Sequence, residues 1–399
     1  MHAQTLSPAR THAGELRAVL AASYVSGASL ILLNGLPLLL GAADETFRLG
    51  PERLGYLGGV AGLSALVVNA SIPFWIRRVD WRTATRLLSI AALVILVLGA
   101  ASRTYATLLA TFTFLGISLG LLGAPAFARL GDAAEPRSAF SWSIGVAMGI
   151  TAIWCFASPA YIQPQFGYRG AVLSLIAIIL PCLVLARWLK APPHRVTEES
   201  TLTGPAAEMT LFRHLNPLAG PFVALFLYTS GVTIFYAFLD RLGKHLGVSE
   251  GRVGGAVALG SVFSAVAAIC SARWGRQVAP FALLLSTTLI MSLCDWTIFS
   301  GGSASFVLSV LAWNVAWALS YPQYLALVRR EDVTHRLYTL SPAIVSVATF
   351  AGSASGGVII QRVSFAAAIA SSAAFVAVAL GLSGWVDRRV SSRWARRRQ

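Results

Sequence analysis

Residues 190–217, KAPPHRVTEESTLTGPAAEMTLFRHLNP, stand apart from everything around them. The stretch carries charges of both signs, four prolines and several hydroxyl side chains, and it falls at the middle of a 399-residue chain. On either side the sequence is dominated by apolar runs of roughly 20 residues, the length at which a helix crosses a hydrocarbon core ~30 Å thick. It therefore reads as a water-exposed connector between two membrane-embedded halves, residues 1–189 and 218–399.

Composition agrees. The chain is 56% hydrophobic and 12% charged, with a mean hydropathy of +0.70, whereas a soluble domain needs roughly 25% charged residues to cover its surface. Cys155, Cys182, Cys270 and Cys294 all lie in apolar runs, so neither a disulfide framework nor a metal site is expected. The net charge of +15 could suggest nucleic acid, but the placement of the basic residues argues for membrane topology instead.

Taken in order, the apolar runs predict spans at 17–43, 54–76, 84–102, 104–128, 138–161, 168–189, 218–240, 251–272, 278–300, 303–328, 337–361 and 364–387. The first run is too long for a signal-peptide core and is read as a retained span. An all-α integral membrane protein with twelve transmembrane helices in two six-helix bundles results. With the N-terminus inside, 23 of the 31 lysines and arginines fall on the cytoplasmic side. Basic segments are retained on that side during insertion, so both termini and the connector are expected in the cytoplasm, and the bilayer is expected to be the plasma membrane. The basic C-terminal tail from Arg388 is expected to be disordered. Arg53, Gly55, Val67, Trp75 and Arg77 recur as Arg252, Gly254, Val266, Trp274 and Arg276 at one offset of 199 residues. That pattern supports duplication of a six-span unit.

Three features make the chain resemble the major facilitator superfamily (MFS) of secondary transporters over essentially its whole length. They are Arg273-Trp274-Gly275-Arg276 after span eight, Phe166-Gly167-Tyr168-Arg169-Gly170 entering span six, and the long central connector. The resemblance implies the MFS fold, while the lack of a nucleophile with a plausible base and of a phosphate-cradling glycine loop leads to the expectation of no enzymatic activity and no cofactor. The resemblance also implies a gating loop that includes Arg77, Arg273, Gly275 and Arg276. The first loop departs from the family pattern, since Asp80 is its only acid. Span four lacks an arginine and span five a Gly-Pro step, which weakens assignment to the drug-export branch.

Candidate solute contacts cluster on span ten. Trp313, Trp317 and Tyr321 recur every four residues and share one face, with Asn314 beside them. Such a face suits a partly apolar organic molecule. Tyr228, Phe235 and Tyr236 on span seven could face it, and Asn34 is the matching polar group on span one. Helix packing is the alternative use of all these side chains. Pro37, Pro125, Pro221 and Pro322 lie in spans one, four, seven and ten, which in the resembling family line the central cavity.

Two acids stand within or beside spans, Asp295 in span nine and Asp240 at the end of span seven. A carboxyl in a membrane helix suggests proton or ion handling by default, while pairing with a neighbour such as Arg241 is the other use. The expected function is gradient-driven transport of a small organic solute by alternating access, with efflux favoured on resemblance alone. Proton-coupled uptake of an organic acid or metabolite stays open, as does a non-transporting membrane sensor or scaffold. Expected partners are a small-molecule substrate and the lipid bilayer, with protons an open case. No nucleic acid is expected, and the protein is expected to be a monomer.

Overall fold

The computed structural model describes residues 8–76, 78–133, 136–189, 205–274, 279–299, 302–331 and 340–397. Among these residues the chain is helical throughout, with no strand. Hydrocarbon offers no partner for backbone N–H and C=O groups, so each crossing must satisfy its own, and helices do so. Nine stretches among the described residues are long and apolar enough to span. One of them, residues 142–188, is two crossings joined at Gly167, which has φ +54°.

The twelve crossings follow the expected order. Span one is broken into Pro8–Ser29, Ile31–Asn34 and Leu36–Phe47. Pro37 has no N–H to donate, so the helical ladder cannot run unbroken through this point; it restarts with Leu39 N donating to the Gly35 carbonyl. Spans two to four are Pro51–Trp75, Trp81–Ala100 and Tyr105–Gly131. Span five is Pro136–Ala157 extended by a π-helical turn, Ser158–Ile162, that contains Pro159. Span six comprises Gln163–Ser174 and Ile176–Leu185. In the second half, span seven is Pro205–Ala237, and the short helix Leu239–His245 follows it. Spans eight to twelve are Glu250–Trp274, Pro280–Thr297, Gly302–Glu331, Ser341–Arg362 and Phe365–Arg397.

Two boundaries differ from the sequence reading. Span seven starts at Pro205, inside the expected connector, because proline suits the first turn of a helix and the helix formers Ala206, Ala207, Glu208 and Met209 follow. The basic tail is helical as far as Arg397 rather than disordered, continuing span twelve without a breaker. The remaining connector, residues 190–204, lies outside the described residues.

Each half packs internally, and the halves meet along three seams: span two against eleven, eight against five, and one against seven. Because the crossings are even in number, both termini lie at one face, here called the terminal face. The Phe-Gly-Tyr-Arg-Gly segment lies at the opposite face. There the Tyr168 N–H donates to Thr46 Oγ1 at 3.2 Å and the Tyr168 ring packs edge-on against Phe47.

Candidate functional site

The aromatic groups predicted from span ten do come together with those of span seven. Trp313 stacks on Phe235 with ring centroids 4.6 Å apart, and Tyr236 lies parallel beyond it at 6.5 Å. Trp317 stacks on Tyr321 at 5.8 Å. Tyr228 shares a hydrogen bond with Ser320 and stacks on Tyr324 at 4.3 Å. Exposure divides the set. Trp313 (2%) and Phe235 (0%) are occupied by each other and Tyr228 (1%) by Tyr324 and Ser320, whereas Trp317, Tyr321, Tyr236 and Asn34 remain half-buried. Asn314 is buried: its amide donates to the Val310 carbonyl, and its own carbonyl accepts from Ser264.

Asn34 sits at the break in span one and bonds in two directions. Its amide donates to Thr151 Oγ1 of span five at 3.1 Å, and its carbonyl accepts from the Tyr236 hydroxyl of span seven. That carbonyl is free for a side-chain donor because the break shifts the backbone ladder to Gly35. One residue thus ties both halves together at mid-span. Along spans one, four, five, seven and ten, acidic and basic residues occur only near the ends, so the groups bordering this meeting point are hydroxyls, amides and aromatic rings.

At the face opposite the termini the chemistry changes. Asp44 and Glu45, at the end of span one, meet the short helix Leu239–His245. Arg241 Nε lies 3.1 Å from Asp44 Oδ2, and Lys244 pairs with Glu45. Lys244 Nζ also lies 2.9 Å from Asp240 Oδ2 and 3.1 Å from Glu250 Oε1 of span eight. Burial works against the Lys244 charge, but the surrounding carboxylates, Asp240 foremost, outweigh it and hold its pKa above the ordinary lysine value.

In sequence Arg241 stands as one possible partner for Asp240. In the helix, residues four apart share a face and adjacent residues do not, so Lys244 takes Asp240 while Arg241 turns to the other half. Gly41 completes the contact. A Cβ there would collide with the Asp240 carboxyl, so only glycine leaves room for it.

Asp295 is placed differently. It lies in the last turn of span nine, closer to the helix end than expected, and is 6% exposed. Its Oδ1 has no hydrogen-bond partner among the described residues. Span nine packs on spans ten and twelve and belongs to none of the three seams. Of the expected gating loop, Arg77, Gly275 and Arg276 lie outside the described residues, and Arg273 is described only as part of the span-eight helix. Asp80, the one acid of the first loop, caps span three by accepting from the Thr83 backbone at 3.0 Å and its hydroxyl at 2.7 Å. Those bonds hold its carboxyl below the usual carboxylate range.

Gly55 of the repeat belongs to a row of glycines. Gly55, Gly58, Gly59 and Gly62 follow the i, i+3, i+4, i+7 spacing of one helix face and meet Ser353, Phe350 and Thr349 of span eleven. Small residues spaced in this way let membrane helices approach closely, and that spacing was the available signal.

The sequence profile of the Major Facilitator Superfamily matches residues 18–336. The chain belongs to the Major Facilitator Superfamily. No curated protein sequence matches it. Among solved structures it is similar to a point mutant of the nucleoside transporter NupG at 12% identity and TM-score 0.69, covering 95% of this chain and 99% of that one. It is also similar to the inward-open xylose transporter XylE from E. coli, at 13% identity and TM-score 0.69, with 92% and 94% covered. A third is a bacterial homologue of the human lysosomal transporter Spinster, solved inward-facing and unoccupied, at 13% identity and TM-score 0.69, with 96% and 98% covered. The MFS fold is thereby established, and with it an integral, multi-pass membrane architecture.

Proposed function

We propose that this MFS protein moves a small, uncharged organic solute across the plasma membrane by alternating access, with both termini cytoplasmic. The observation that carries this is the division of the space between the halves. Asn34, Tyr236, Trp317 and Tyr321 offer hydrogen bonds and aromatic faces at mid-span, and the formal charges of spans one and seven are confined to their ends. Uncharged polar groups can bind and release a neutral solute without stripping water from an ion, which is costly in a low-dielectric interior. The neighbour described as a D-xylose-proton symporter, at 13% identity and TM-score 0.70, and the nucleoside transporter act on solutes of that kind.

If the gradient is one of protons, Asp240 is the carboxyl placed to use it. It lies on the seam between spans one and seven, against Gly41 of the other half, whereas Asp295 lies off every seam. Uptake by proton symport has a precedent in the similar D-xylose-proton symporter, while efflux rests on family resemblance. Proteoliposomes assayed for radiolabelled uridine and D-xylose flux, with and without a pH gradient, separate the readings. Accumulation that follows an inward proton gradient supports symport, and accumulation against it supports efflux. Specific binding of either solute with no flux overturns the transport reading in favour of a sensor.

A further inference from the structure

The two halves repeat at an offset of 199 residues, and that offset also relates the residues that touch across the seam of spans one and seven. Gly41 and Asp240 occupy equivalent positions, as do Glu45 and Lys244. Residues that touch their own counterparts must lie close to the axis relating the halves. On such an axis identical residues would face each other, glutamate against glutamate or lysine against lysine, and like charges at close range repel.

We propose that Lys244 is a latch that holds the face opposite the termini closed, and that it works because the two halves have diverged into complementary charges at these axial positions. Its ammonium has three hydrogens, and three carboxylates surround it: Glu45 from span one, Asp240 from its own helix and Glu250 from span eight. Arg241 adds a second link across the seam to Asp44 and also reaches the Leu49 carbonyl at 3.5 Å. Four acids therefore share two cations.

Removing one cation leaves several partly buried carboxylates facing one another, a loss that outweighs the deletion of a single surface pair. Gly41 belongs to the same device, since the Asp240 carboxyl occupies the place of its missing side chain. Opening this face requires Glu45 and Asp44 to leave Lys244 and Arg241, so the latch sets how often the face opens.

The proposal rests on the alternating-access reading, and its test measures opening rather than flux, so the two can fail separately. In a chain with the four native cysteines replaced, Ala237→Cys places a reporter thiol beneath the network, at a position 2% exposed and bordered by Pro37, Leu40 and Leu54 of the other half. The purified protein is reacted with N-ethylmaleimide and the labelling rate is followed.

K244E is expected to raise that rate by about tenfold or more, the range of a conformational coupling. Adding E45K to K244E exchanges the two axial charges and is expected to return most of the rate to that of the parent. Labelling of K244E at the parental rate overturns the latch, and a raised rate that the exchange does not lower overturns the axial pairing. Where K244E does not elute as a single species, K244M replaces it; a rise is expected there too, and its absence equally overturns the latch.

Discussion

Spans two and eleven approach closely at several points along their length, whereas for their counterparts, spans eight and five, the close backbone approach at a glycine lies toward the face opposite the termini. The first seam is built on glycine. A Cβ at Gly55 would lie 2.6 Å from the Ser353 carbonyl, one at Gly59 2.9 Å from the Phe350 ring, and one at Gly62 2.8 Å from Thr349. Further toward the terminal face, Asn69 still reaches Ser346 Oγ at 3.4 Å.

On the second seam Gly254 repeats the part of Gly55: a Cβ there would lie 2.6 Å from the Cys155 carbonyl and closer still to the Pro159 ring. The next equivalents, 199 residues on from Gly58, Gly59 and Gly62, are Val257, Ala258 and Ser261. Side chains stand there in place of glycine, and added side chains at Gly145 and Gly149 of span five would meet nothing. One duplicated pair of helices thus carries a row of close glycine contacts, and the other keeps one of them, at Gly254.

The largest effect is expected at the closed seam. Gly55→Val pushes a branched side chain into two backbones, those of Ser353 and Gly357, and neither helix can yield without separating along its length. Overpacking of this kind costs roughly 1–3 kcal/mol, and the fraction of monodisperse protein after mild heating should fall sharply. A melting temperature unchanged from the parent would show that the glycine row is not what holds this seam.

Gly254→Val disturbs a seam that is only locally closed. It should cost less stability than Gly55→Val while reducing solute flux by about tenfold, since it wedges span eight away from Cys155 and Pro159 of span five. Equal destabilisation of the two variants would erase the distinction between the seams.

Asp240→Asn keeps the shape of the contact with Gly41 but removes the charge facing Lys244. Accumulation driven by a proton gradient is expected to be lost, with solute exchange at equal pH retained. Asp295→Asn, off the seams, should leave both within about twofold. The reverse pattern would move the coupling carboxyl to span nine.

The smallest effect belongs to the open side. Gly149→Ala adds a methyl group where nothing stands within 4 Å, and alanine is the better helix former by about 1 kcal/mol. The melting temperature should hold or rise slightly. A fall would show that span five approaches another helix at this point.

The number of crossings, their order, the division into halves and the family were all legible in the residues themselves. Each follows from a local rule: a stretch of about 20 apolar residues must be helical where no water can satisfy its backbone, and the offset of 199 is visible without coordinates. The aromatic residues of span ten were also legible as a face, because helical spacing alone brings Trp313, Trp317 and Tyr321 into line.

Contacts between elements distant in the chain were decided by tertiary structure. Arg241 adjoins Asp240 in sequence but serves Asp44 of the other half, since adjacent side chains on a helix diverge and the partner comes from 197 positions away. The stacking of Trp313 on Phe235 and the half-exposure of Trp317 depend on how span seven is rotated against span ten. Asp295 looked in sequence like Asp240, and only the packing of span nine against ten and twelve separates them. Hydropathy and spacing act within one helix, where the backbone fixes distances. Which faces meet is set by the close fit of side chains from several helices at once, and no single stretch of the chain contains that information.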